Sequence, residues 1–208
     1  MVFKQVMSQN FSTAMSRRQQ IFNLPNLLTF GRIAAVPLIV ACFFFDGDRA
    51  KWIAVGLFVL AAISDFFDGY LARLWKQQSS LGRMLDPIAD KLLVAAVLLM
   101  LTAVRTIDDF HVIAAVIILL REVLVSGLRE YLAELQVSVP VTKLAKWKTT
   151  LQMVAIGFLL ANGAGDKIFP FTTLVGLIGL WVSALLTLYT GYDYLKAGLT
   201  HVMETDQR

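Results

Sequence analysis

The chain has 208 residues, 57% of them hydrophobic, and a formal net charge of +4; its mean hydropathy is +0.67. Soluble domains hold about 45–50% apolar residues, so this composition excludes an ordinary soluble globule and points to a polytopic membrane protein. The single cysteine, Cys42, excludes an internal disulfide, and the basic residues form no aromatic-interleaved stripe of the kind that binds nucleic acid.

Residues 1–22 set Phe3, Val6, Met7, Phe11, Ala14 and Met15 at helical spacing, with Lys4, Arg17 and Arg18 among them. The pattern predicts an amphipathic helix on the membrane surface; the alternative is a disordered tail. The first long apolar run starts only near Leu27 and has no cleavage site before it, which argues against a signal peptide.

Six apolar spans follow, each close to the ~20 residues that cross a bilayer. The first runs over 26–45, opened by Pro25 and closed by Asp46-Gly47; the second covers 52–74 and turns polar in its last turns. After a short loop at 76–81, the third covers 83–104. Pro87 has no N–H to donate, so this span is expected to begin only shortly before it. The fourth covers 110–132, the fifth starts from Lys148 and ends near Asn162-Gly163, and the sixth covers 169–195. The expected fold is therefore an all-α integral membrane protein: six transmembrane helices preceded by an amphipathic surface helix. Residues 1–22 form a juxtamembrane segment, 23–200 the helical domain and 201–208 a tail. Twelve Lys and Arg fall on the side of the termini, the 76–81 loop and the basic connection 134–148, against four on the other side. That bias places both termini in the cytoplasm.

The stretch Asp65–Asp90 organises the rest. Asp65, Asp68, Gly69, Ala72 and Arg73 fall within an arc of roughly 140° on one helix, and Gly82, Asp86 and Asp90, four apart, stack along a second. Carboxylates at a bilayer cost several kcal/mol each unless partnered. Four of them around one volume either share protons or hold cations. Oxygen donors without His or Cys favour a hard cation, Mg²⁺ or Mn²⁺, over Zn²⁺. Arg32, inside the first span, either snorkels to the interface or faces this site; Asn26 and Thr29 share its helix face at spacings of three.

The string D-x-x-D-G-x-x-A-R-x8-G-x-x-x-D-x-x-x-D resembles, without a mismatch, the signature of the CDP-alcohol phosphotransferase family of membrane enzymes. The resemblance implies that Asp65, Asp68, Asp86 and Asp90 hold a pair of Mg²⁺ or Mn²⁺ ions, with Asp90 also the general base. It implies that Asp68, Gly69, Ala72, Arg73 and Gly82 receive the CDP moiety, and that Asn26, Thr29 and Arg32 lie on the lipid and pyrophosphate side.

Arg121 and Arg129, eight apart on one helix face, are followed by Lys143, Lys146 and Lys148. Cations beside a phosphotransfer site suit an anionic acceptor; ordinary positive-inside bias is the competing account. The segments NLPNLLTFGR, DPIADK, REVLVSGLREYLAEL and KLAKWKTTLQM resemble the branch of the family that moves a phosphatidyl group from CDP-diacylglycerol to the hydroxyl of sn-glycerol 3-phosphate, with release of CMP. That implies Arg121, Arg129, Lys146 and Lys148 around the acceptor phosphate, a bacterial inner-membrane location, membrane-lipid contacts and a possible homodimer. Inositol phosphate or serine as acceptor is the alternative within the same chemistry. A cation or proton transporter is the alternative outside it, but would set its carboxylates near the bilayer midplane.

Overall fold

A computed structural model describes residues 24–74, 80–134 and 143–205; the expected surface helix at 1–22 and the 76–79 loop residues lie outside them. Six helices make up the described chain: α1 (Leu24–Cys42), α2 (Asp48–Leu74), α3 (Ser80–Ala103), α4 (His111–Glu134), α5 (Lys143–Asp166) and α6 (Thr172–Thr205). No strand occurs among the described residues. Two of the helices, over His111–Leu132 and Thr172–Lys196, are long and apolar enough to cross a membrane.

The helices differ from the sequence expectation where local signals misled. Pro87 lies seven residues inside α3, which starts at Ser80, not in its first turn. A proline leaves one carbonyl four residues earlier without its helical donor; Pro87 is exposed at this point of the helix. Lys91 reaches back along this turn, donating from Nζ to the Pro87 carbonyl at 3.1 Å. Helix α5 begins five residues before Lys148, and α6 runs ten residues beyond 195. Hydropathy marks where lipid-facing sequence stops, whereas backbone hydrogen bonding continues past it.

The expected end of the fifth span at Asn162-Gly163 coincides with a break in the backbone. Asn162 has φ 42° and ψ −136° inside α5. Its side chain replaces the lost ladder with tertiary bonds: Nδ2 donates to Thr106 Oγ1 at 2.8 Å, and Oδ1 accepts from Thr173 Oγ1 at 3.4 Å. One residue thus ties together α5, the α3–α4 connection and the start of α6.

Packing turns aliphatic residues outward as well as inward. Leu60, Leu99, Leu120, Val123 and Leu185 are exposed, while Phe58, Leu93, Leu98, Ile118, Ile156, Leu159 and Leu180 form the core. Small residues bring α5 and α6 together: a Cβ on Gly176 would stand 2.8 Å from Leu159 Cγ, and one on Gly179 2.9 Å from Ala155 Cβ. Close approach at small residues is how helices associate where apolar surroundings give no hydrophobic drive. Helix α1 packs against α2 and α3, α2 against α5, and α4 against α6. The polar ends of α2 to α6 therefore converge at one end of the bundle.

Candidate active site

At that end a cavity of about 360 Å³ is walled by Asp65 of α2, by Asp86, Asp90 and Lys91 of α3, by Arg121, Glu122 and Arg129 of α4, by Lys148 of α5 and by Tyr194 of α6. One wall is acidic and the facing wall largely basic. The i, i+4 spacing of Asp86 and Asp90 puts both on a single face of α3, and Gly82, one turn earlier on that face, is buried. Asp68, Gly69, Ala72 and Arg73 belong to α2, but their side chains lie outside the described residues, as do those of Lys143 and Lys146.

Helix α1 stands behind the acidic wall. Arg32 Nη1 lies 2.5 Å from Asp65 Oδ1, with the Arg side chain 0% and the Asp side chain 46% exposed. Thr29 donates from Oγ1 to Asp86 Oδ1 at 2.6 Å. Arg32 is thus no interfacial snorkel; it is buried and faces the motif. Asn26, expected on the same helix face six residues earlier, is buried too. None of the three lines the cavity itself.

The basic wall is held together by residues of α4, α5 and α6, among them Glu122, which the sequence sets beside Arg121 to offset its charge. Glu122 accepts a short, charge-assisted hydrogen bond from Lys148 Nζ and lies 3.3 Å from Arg121 Nη1. A buried ammonium is costly without such a partner, and Lys148 is 2% exposed. Arg121 also donates from Nη2 to Thr190 Oγ1 at 3.1 Å and sits 6.0 Å above the Tyr194 ring. Gly191 makes room for it, since a Cβ there would stand 3.1 Å from Arg121 Cγ. Arg129, on the same helix, is exposed at the cavity edge. Thr190 and Tyr194 come from about seventy residues further along the chain, so no sequence signal links them to Arg121; for Glu122 the signal is its place beside Arg121.

The donor set fits a hard divalent ion in kind: Asp65, Asp86 and Asp90 offer only oxygen and converge from two helices on one cavity. In arrangement, no three acidic, His or Cys side chains stand close enough to ligate one ion among the described residues, which leave out the Asp68 side chain. Two of the carboxylates are engaged instead by Arg32 and Thr29.

A second, larger space of about 1140 Å³ starts at Asp65 and Thr149 and runs between α2 and α5 toward Trp52 and Phe169. Val55, Val59, Ile63, Met153, Val154 and Phe158 line it, so it is apolar along its length.

Comparison with known proteins identifies the family. Residues 22–189 match the family model described as CDP-alcohol phosphatidyltransferase. A relative from Rickettsia bellii is 52% identical over 175 residues, covering 84% of this chain and 94% of its own. One from Cereibacter sphaeroides is 40% identical, covering 88% and 98%, and one from Haemophilus influenzae 35% identical, covering 89% and 98%. All three are named CDP-diacylglycerol–glycerol-3-phosphate 3-phosphatidyltransferase. With four-fifths of its length matched by the family model, the chain belongs to the CDP-alcohol phosphatidyltransferase family.

Proposed function

We propose that the protein transfers the phosphatidyl group of CDP-diacylglycerol to sn-glycerol 3-phosphate, giving phosphatidylglycerophosphate and CMP. The observation that carries this reading is the two-sided cavity, with Asp65, Asp86 and Asp90 facing Arg121 and Lys148. The relatives named for this reaction, matched over nearly their whole length, support the choice of acceptor.

In this reading Asp65, Asp68, Asp86 and Asp90 hold divalent metal, Mg²⁺ or Mn²⁺ and two ions, in keeping with the general metal dependence of the family. Bound there, such ions neutralise charge on the pyrophosphate and polarise its P–O bonds. The protein's own groups do the rest. Lys148 and Arg121, with Arg129 at the cavity edge and Lys146, bind the acceptor phosphate and aim its hydroxyl at the lipid-side phosphorus. Asp90 takes the hydroxyl proton as the new P–O bond forms, and the bond to the CMP oxygen breaks. Gly69, Ala72 and Gly82 admit the nucleotide close to the backbone, and Asp68 and Arg73 contact CDP. The apolar space leading from Asp65 takes an acyl chain, with Asn26, Thr29 and Arg32 on the lipid and pyrophosphate side.

We place all six helices across the bacterial inner membrane, with the cavity and both termini cytoplasmic. The domain of residues 23–200 contacts membrane lipids and pairs as a homodimer. The deciding assay measures CMP release by protein in detergent with CDP-diacylglycerol and Mg²⁺, offering glycerol 3-phosphate, serine or inositol phosphate. Release with glycerol 3-phosphate alone, abolished by EDTA and by Asp90→Asn, is expected. Release with another acceptor would overturn the assignment of the basic wall, and none with any acceptor would overturn the reaction.

A further inference from the structure

Helix α1 touches the acidic wall at two points that differ in kind. Arg32, among the largest fully buried side chains, meets Asp65 on α2. Thr29, one turn earlier and 1% exposed, meets Asp86 on α3. A guanidinium cannot lose its charge, so burial at this position requires anionic partners at all times. Asp65 supplies one while leaving nearly half of its side chain open toward the cavity. The threonine hydroxyl carries no charge and can only fix where a carboxylate oxygen points.

We propose that Arg32 is a built-in counter-cation that balances the motif carboxylates before a divalent ion arrives, and that Thr29 orients Asp86 to receive it. Both are positioning residues. The proposal rests on reading Asp65 and Asp86 as metal ligands. Its consequence is that the two residues act on metal affinity with opposite signs. Arg32 and the ion compensate the same negative charge, so they oppose each other. Even with the full screening of water, a unit charge and a double charge about one carboxylate apart repel by roughly a factor of ten in binding, and burial of Arg32 can only raise this. Thr29 does not compete. Loss of an outer hydrogen-bond donor to a metal-ligating group weakens metal binding by about 10–100-fold.

The test is Mn²⁺ binding to the full chain in detergent, without nucleotide, read from the electron paramagnetic resonance of free Mn²⁺. Arg32→Met is expected to bind Mn²⁺ about tenfold more tightly than wild type, and to melt at a lower temperature without metal but regain more on its addition. Arg32→Lys, which keeps the charge, is expected to match wild type. Thr29→Val is expected to bind at least about tenfold more weakly, with Thr29→Ser restoring the affinity. If Arg32→Met fails to fold, Arg32→Gln carries the same expectation. Unchanged or weaker binding in the charge-removing variants, or unchanged binding in Thr29→Val, overturns the proposal while leaving the metal site standing. A wild-type protein that binds no Mn²⁺ overturns both.

Discussion

Replacing Glu122 by alanine tests how the basic wall is built. The change strips Lys148 of its carboxylate and Arg121 of one of its partners. The Lys148 side chain is 3% and that of Glu122 22% exposed, so the ammonium left behind has almost no access to water. Removing one partner of a buried ion pair typically costs about 3–5 kcal/mol. The partial exposure of Glu122 lowers this to about 2–4 kcal/mol, or a fall of roughly 5–12 °C in Tm for a chain of this size. Replacing both partners by apolar residues of similar volume, Glu122→Leu with Lys148→Met, removes the stranded charge and is expected to return most of that stability. The acceptor site does not return with it: the double variant is expected to be folded, yet to have lost most of its affinity for glycerol 3-phosphate. Thermal unfolding in detergent, run beside the CMP-release assay across a range of acceptor concentration, reads both. Additive losses in the double variant would refute the coupling, and a stable double variant with an unaltered KM would refute Lys148 as an acceptor ligand.

Two further predictions concern the scaffold. Gly176→Ala places a methyl 2.8 Å from Leu159 Cγ and 3.1 Å from the Leu159 backbone nitrogen. Overpacking of about 1–3 kcal/mol, offset by ~1 kcal/mol of helix propensity, gives a net loss of up to about 2 kcal/mol by unfolding in detergent. Gly56→Ala, with nothing within 4 Å, is expected to be neutral or stabilising, and equal effects at the two positions would contradict the packing argument. At the other end of the bundle, Asp166 accepts from Thr173 Oγ1 at 2.5 Å and from the Thr173 N–H at 3.0 Å. Led by the Thr173 hydroxyl, these bonds hold its carboxyl below the ordinary value of 3.8. Its contribution is therefore complete above that pH and fades as pH falls through the lower folded value. Asp166→Asn is expected to flatten this part of the acid limb in a plot of Tm against pH, and an unchanged limb would show that the bonds contribute nothing to it.

The elements and the composition of the acidic wall follow from local rules. Hydropathy located six helical segments because apolar runs of bilayer length have few other uses, and i, i+4 spacing put Asp86 and Asp90 on one face because helical period is a local property. It also marked Asn162-Gly163 as a boundary, where the backbone does break. Local rules err at Pro87 because the missing N–H that suits a helix start is also tolerated at an exposed position inside a helix. Which groups meet depends on packing. Arg32 with Asp65, Thr29 with Asp86, Lys148 with Glu122 and Arg121 with Thr190 and Tyr194 join residues up to 73 positions apart. Such pairs depend on how α1 packs on α2 and α3, and α4 on α6. Burial then forces the choice of partner, since a charge removed from water must find its opposite among whatever side chains the packing brings within reach.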